Sequence, residues 1–238
     1  MSQIKPKSND SFENIHLVGT SHIAKESINH IKKAFFQYKP EIIAIELDER
    51  RLYTLLNPKT QSKPSLALIR TLGVKGFLFT LVARYAQKKL GKMVGVEAGE
   101  DMKFAAQLAQ NNDLQLALID KPLEKTIKKL MKTIRFNEWM RIISDVLRGL
   151  LFGKYQKKIK IDLNKVPPDE LITKLLEELK GRYPSFYSVL LFERNHFMAR
   201  QLTIIQRKYP SKHILAVVGA GHKKGIIDLL PSYFLKIE

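Results

Sequence analysis

Short apolar runs without polar alternation recur along the chain, and helical periodicity fills the spaces between them. Residues 15–18, 41–47, 93–96, 114–119 and 213–218 read as strands, each bounded by glycine, proline or polar residues. Residues 24–38 carry Ile28, Ile31, Ala34 and Phe35 at spacings of three and four, the signature of an amphipathic helix that Pro40 ends. Further helices are predicted over 49–56, 65–90 (broken near Gly73 and Gly76), 100–110, 122–134, 136–152 and 168–181. A long helix follows from Pro184 to about Tyr209, and a short one closes the chain after a turn at 219–222. Strands that are apolar at every central position belong to sheets buried on both faces. The fold class is therefore α/β, with a mainly parallel central sheet flanked by helices. The span of about 121–210 interrupts the alternation and reads as a helical insertion or cap. Residues 1–14 read as a flexible N-terminal lead-in, and 15–238 as a single domain.

In open parallel sheets ligands bind beyond the carboxyl ends of the strands. The residues that leave the predicted strands are Gly19-Thr20-Ser21-His22, Glu46 with Asp48, Glu97, Asp120, and Gly219-Ala220-Gly221-His222. Every strand exit thus offers an imidazole or a carboxylate. Two imidazoles and several carboxylates on one rim suit a divalent metal or a general acid/base pair. The two Gly-x-x-His turns follow the first and last strands. Each histidine reads equally as a helix cap or a partner of a loop carbonyl. Glu46 ends an apolar strand, where a carboxylate needs either a cation or an ion pair, and Arg50 and Arg51 lie one helical turn on. Asp120 also reads as a helix N-cap. Glu193 and Arg194 sit within a helix, where most charges are simply solvated, and His16, His30, His196 and His213 read as structural or surface residues.

Composition narrows the chemistry. The 238 residues contain no cysteine, which excludes a disulfide scaffold, thiolate-held metals and a cysteine nucleophile, and fits a reducing cytoplasm. The net charge of +18 predicts attraction to polyanions. Residues 121–160 carry half of it, with 12 Lys or Arg against Glu124, Glu138 and Asp145. The segment 136–152 adds a broad apolar face with Trp139, Ile142 and Leu147. It reads as a helix packed on the sheet, or as a basic amphipathic helix in peripheral contact with anionic membrane. Without a recognisable helix-turn-helix or an aromatic-interleaved sheet motif, nucleic acid is the less favoured partner. The N-terminus has no apolar h-region, and Arg70 and Lys75 interrupt the longest apolar stretch, so neither a secretory signal nor a spanning helix is expected. Gly219, Gly221 and Gly225 imitate a dinucleotide turn, but no ribose-binding acid follows at the required distance.

The blocks Val18-Gly-Thr-Ser-His22, Ala44-Ile-Glu-Leu-Asp-Glu-Arg-Arg51, Gly95-Val-Glu-Ala-Gly-Glu-Asp-Met102, Leu118-Ile-Asp-Lys121, Glu193-Arg-Asn-His-Phe-Met-Ala199 and Val217-Val-Gly-Ala-Gly-His222 occur in this order. Together they resemble the TraB family, also called the PrgY or pheromone-shutdown family. That family is related to Tiki proteins, metal-dependent proteases with two Gly-x-x-His motifs and an essential Glu. More distant relatives are erythromycin esterases and the haem-associated ChaN proteins. The resemblance implies that His22 and His222 match the motif histidines and Glu46 the acidic position, and that Glu193 and Arg194 belong to a further motif. The family pattern has Asp where Asn195 stands and Arg where Lys121 stands. Many members carry C-terminal transmembrane helices, which these 238 residues do not show.

The resulting expectation is a divalent-metal-dependent hydrolase, peptidase-like, acting on a peptide or a related amide or ester. His22, Glu46 and His222 would hold Mn, Co or Zn. Glu46 would otherwise act as general base, and Arg50 or Arg194 would stabilise the oxyanion, with Glu193 beside it. The alternative is a non-catalytic protein that sequesters a peptide or small ligand near a membrane surface or partner.

Overall fold

A computed structural model describes residues 10–21, 25–57, 99–152 and 167–236, together with Ile69, Arg70, Gly73, Gly76, Phe77 and Thr80; side chains of Ile143, of 146–152 and of Lys236 are not included. The predicted strand at 93–96, most of the predicted helix at 65–90, His22 and Glu97 lie outside the described residues.

Among the described residues the elements run β1 (Ser11–Phe12), β2 (Ile15–Thr20), α1 (Lys25–Tyr38), β3 (Ile42–Ile45), α2 (Glu49–Leu56), α3 (Glu100–Asn111) and β4 (Gln115–Leu118). Then come α4 (Leu123–Thr133), α5 (Phe136–Phe152), α6 (Asp169–Arg182), α7 (Pro184–Tyr187), a π-helical segment (Ser188–Phe192), α8 (Glu193–Lys208), β5 (Ile214–Gly219) and α9 (Ala220–Lys236). The strands form one sheet in the order β1-β2-β5-β3-β4. β2, β5, β3 and β4 are parallel, while β1 is antiparallel to β2. β1 lies within the span expected to be a flexible lead-in; two residues are too few to show periodicity.

β3 and β5 are buried along their whole length because helices cover both faces. Side chains alternate between the faces. Ile42, Ala44, Ile214, Ala216 and Val218 point to one side, where Met198 and Leu202 of α8 and Ile226 and Leu230 of α9 close the core. Ile43, Ile45, Leu215 and Val217 point to the other, against Ile31 of α1 and Met102, Ala105 and Ala109 of α3. The α/β class with a mainly parallel sheet is thus as the pattern indicated. The helical span divides into α4–α7 and a helix, α8, that is itself one of the covering layers. Residues 220–222, read as a turn, are the first turn of α9, which runs 17 residues rather than forming a short cap.

Candidate functional site

β5 returns to the middle of the sheet, between β2 and β3, so the carboxyl ends of β3, β4 and β5 open side by side. Glu46 follows β3, Asp120 follows β4 after one intervening residue, and His222 stands in the first turn of α9 directly after β5. α8 crosses this rim with Arg194 and Asn195 in its first turn. The π-helical segment immediately before it widens the helix by i→i+5 bonding, a distortion that recurs at functional sites.

Arg194 is the hub. All five guanidinium N–H groups have partners. Nε donates to Asp120 Oδ1 at 3.1 Å and Nη2 to Asp120 Oδ2 at 2.6 Å, a bidentate fork. Nη2 also donates to Glu46 Oε1. Nη1 donates to His222 Nε2 at 3.1 Å and to the Leu190 carbonyl at 3.2 Å. Burial disfavours its charge, but the Glu46 charge and Asp120 outweigh that and hold its pKa above the ordinary arginine value. Glu46 is 5% exposed. Its second oxygen, Oε2, accepts the Gly219 N–H at 2.6 Å, so the carboxylate is tied to β5 as well as to α8.

His222 is 6% exposed. Because Arg194 donates to its Nε2, the ring proton belongs on Nδ1, which donates to Asn195 Oδ1 at 2.6 Å. Nε2 therefore carries a lone pair, 3.3 Å from Glu46 Oε1. The Asn195 contact requires a close approach of α8 and α9. A Cβ on Gly225 would lie 2.1 Å from Asn195 Nδ2.

A second arginine supports the rim from below. Arg51 Nε donates to Asp48 Oδ2 at 2.6 Å, and Nη2 pairs with Asp120 Oδ2 at 2.5 Å. Asp48 caps α2 by accepting the Arg51 N–H at 3.0 Å. Burial raises the Asp48 pKa, but the Arg51 backbone and side-chain bonds prevail and hold it below the usual carboxylate range. Asp120 does not cap α4, whose N-cap is Pro122; it joins the two arginines instead.

The structure thus brings Glu46, Arg194 and His222 into direct contact. It places the other two described candidates elsewhere: Arg50 pairs with Glu124 on the surface, and Glu193 faces Lys129 and Lys121. Histidines read as structural are so engaged: His16 with Ser11 and His213, His196 with the Tyr233 hydroxyl. Sequence reasoning did not single out Asn195 as the orienting partner of His222, nor Asp101, which is 2% exposed and accepts the Thr20 hydroxyl at 2.5 Å. The available signal for Asp101 was its place at the start of a helix after a predicted strand.

Two donors of the expected metal set are described. Ligand bonds of about 2.1 Å meeting near the tetrahedral angle put donor atoms about 3.4 Å apart. The 3.3 Å between His222 Nε2 and Glu46 Oε1 fits that spacing. The Nδ1–H bond to Asn195 is the outer-shell contact that fixes a ligating imidazole. Arg194 contacts both donor atoms and competes with an ion for their lone pairs. Among the described residues no three His, Cys, Asp or Glu side chains are grouped as a metal cage; the third expected donor, His22, lies outside them.

A family model described as the TraB/PrgY/gumN family matches residues 4–231. The chain is 33% identical over 226 residues to "Uncharacterized protein MJ1365" of Methanocaldococcus jannaschii, covering 94% of this chain and 54% of that protein. It is also similar to TraB domain-containing proteins of Mus musculus (23% identical) and Homo sapiens (21%), in each case over 89% of this chain and 61% of the relative. The chain therefore spans roughly half to three-fifths of the length of these relatives.

Proposed function

The chain belongs to the TraB/PrgY/gumN family, and we propose that it is a metal-dependent hydrolase of peptides, or of related amides or esters, working at the carboxyl rim of its sheet. The observation that carries this reading is the contact of a buried carboxylate, an oriented imidazole and a buried guanidinium on one rim. Glu46 and His222 would hold a divalent ion of the Mn, Co or Zn type, with His22 as the third donor. When bound, such an ion supplies Lewis acidity. The side chains supply the rest. Asn195 keeps the ring proton of His222 on Nδ1 and leaves the lone pair on Nε2. If the ion were held by the histidines instead, Glu46 would act as general base and take a proton from an attacking water. Asp120 fixes the plane of Arg194, whose positive charge would lie beside the negative charge that develops on a carbonyl oxygen.

The test is cleavage of a fluorogenic peptide panel by protein loaded with Mn, Co or Zn. Glu46→Gln and Arg194→Lys should each lower kcat by about 10²–10³-fold. Retention of full cleavage in Glu46→Gln would remove that residue from the chemistry.

The second reading is a non-catalytic binding protein held at an anionic membrane. Its support is on α5, where Phe136 is 80% and Met140 51% exposed, one helical turn apart beside Arg135. Cosedimentation with anionic vesicles, lost in Phe136→Asp, together with no cleavage under any metal, would favour it.

A further inference from the structure

The backbone segments that build the rim also build a second cleft on their other side. Lys121 directly follows Asp120, and Glu193 directly precedes Arg194. Successive residues of a helix diverge by about 100°, so Arg194 turns to the sheet while Glu193 turns away. The cleft it faces has a volume of about 390 Å³. Lys121, Lys125 and Lys129 line it, spaced four residues apart along the entry to α4 and its first turns. Val189 and Phe197 contribute apolar wall.

Charge in the cleft is unbalanced. Glu193 Oε2 lies 2.8 Å from Lys129 Nζ and 3.8 Å from Lys121 Nζ, so one carboxylate serves two ammonium groups. The third lining lysine, Lys125, adds to the excess. Like charges at i,i+4 repel. An incoming carboxylate relieves that repulsion, while a neutral group does not.

The geometry points to a subsite for an acidic residue of a peptide substrate in this cleft, next to the Glu46–His222–Arg194 rim. The assignment deepens the hydrolase reading and rests on it for the word substrate; the binding preference itself stands on the lysines. Lys121, Lys125 and Lys129 receive the carboxylate, and Glu193 holds the place until it arrives. Discrimination between acidic and neutral peptides is therefore set here, beside the reacting groups and not by them.

The experiment measures binding without turnover. The full chain, with a chelator present, is titrated into rhodamine-labelled Ala-Ala-Glu-Glu-Ala-Ala or its Gln-Gln counterpart, and anisotropy is read. The Glu peptide should bind about tenfold more tightly, corresponding to about 1.4 kcal/mol. Lys125→Glu should abolish the difference, and Glu193→Gln should widen it. Lys174→Glu makes the same change in net charge at an exposed position of α6 that does not line the cleft, and should leave the difference in place. Equal affinity for the two peptides, no binding of either, or equal loss of preference in Lys125→Glu and Lys174→Glu would overturn the subsite. Failure of the hydrolase reading has a different signature, acidic preference retained with no cleavage under any metal.

Discussion

Arg194 neutralises two carboxylates that are nearly inaccessible to water; its removal leaves Glu46 buried without its arginine and Asp120 with Arg51 alone. Breaking a buried pair by deleting one partner costs about 3–5 kcal/mol. Arg194→Ala should therefore lower the urea midpoint strongly, and Arg194→Lys, which keeps the charge but not the fork to Asp120, should fall between it and the wild type. An unchanged midpoint in Arg194→Ala would mean that the pairs do not bear on stability. Gly225 makes a second, sharper case. Gly225→Ala drives a methyl into the Asn195 amide and should cost about 1–3 kcal/mol by overpacking. In an Asn195→Ala background the same change should cost much less, since the clashing group is gone; additive losses in that double-mutant cycle would contradict the contact. Glu46, Asp48, Asp120 and His222 are legible in the sequence because parallel order alone sends those positions to one edge. Arg194 was visible only through the resemblance, since a charge inside a helix carries no local sign that it faces inward. The choice between Arg50 and Arg51 likewise turns on one 100° helical step. Arg51 faces Asp48 and Asp120, and Arg50 faces Glu124.

Among the described side chains, a polar clamp ties the start of α5 to α7. Glu138, 1% exposed, accepts the Arg135 N–H at 3.1 Å at the start of α5 and the Ser185 N–H at 2.8 Å in α7. Burial pushes its carboxyl up, yet the Ser185 hydroxyl and these N–H groups hold it below the usual range. A carboxyl depressed in the folded state contributes stability that is complete above its unfolded pKa, near 4.3, and is lost as pH falls through the lower folded value. Glu138→Gln should accordingly lose stability at neutral pH and show a flatter acid limb below about pH 4 in midpoint-against-pH curves; parallel curves for variant and wild type would refute the assignment. Strands and long helices were readable here because burial on two faces leaves an uninterrupted apolar run, and a single face leaves a 3.6-residue period. The glycines at 219 and 221 suggested a turn; Gly219 ends β5, and packing of α9 on α8 overrides the low helix propensity of Gly221. The π-helical segment leaves no composition to read, because one extra residue per turn changes spacing and not residue type.

Across the molecule, the two cores share β3 and β5, so the rim is assembled from β3, β4, α8 and α9 on one continuous framework. No described helix is long and apolar enough to cross a membrane. Half of the net +18 lies in residues 121–160, and of these Lys121, Lys125 and Lys129 line the cleft beside Glu193. Three lysines on one cleft predict that binding of an acidic peptide weakens as salt rises, while binding of a neutral one does not. Salt-independent binding of the acidic peptide would separate the charge from recognition. The central claim is that Glu46 and His222 hold an ion together. The measurement is metal content per chain in untagged protein reloaded with Mn, Co or Zn, for wild type, Glu46→Gln, His222→Ala and His22→Ala, each with its fold checked by circular dichroism. The account predicts about one ion per wild-type chain and its loss in all three folded variants. A folded wild type that takes up no ion under any loading, or a His222→Ala protein that keeps its ion, would contradict it.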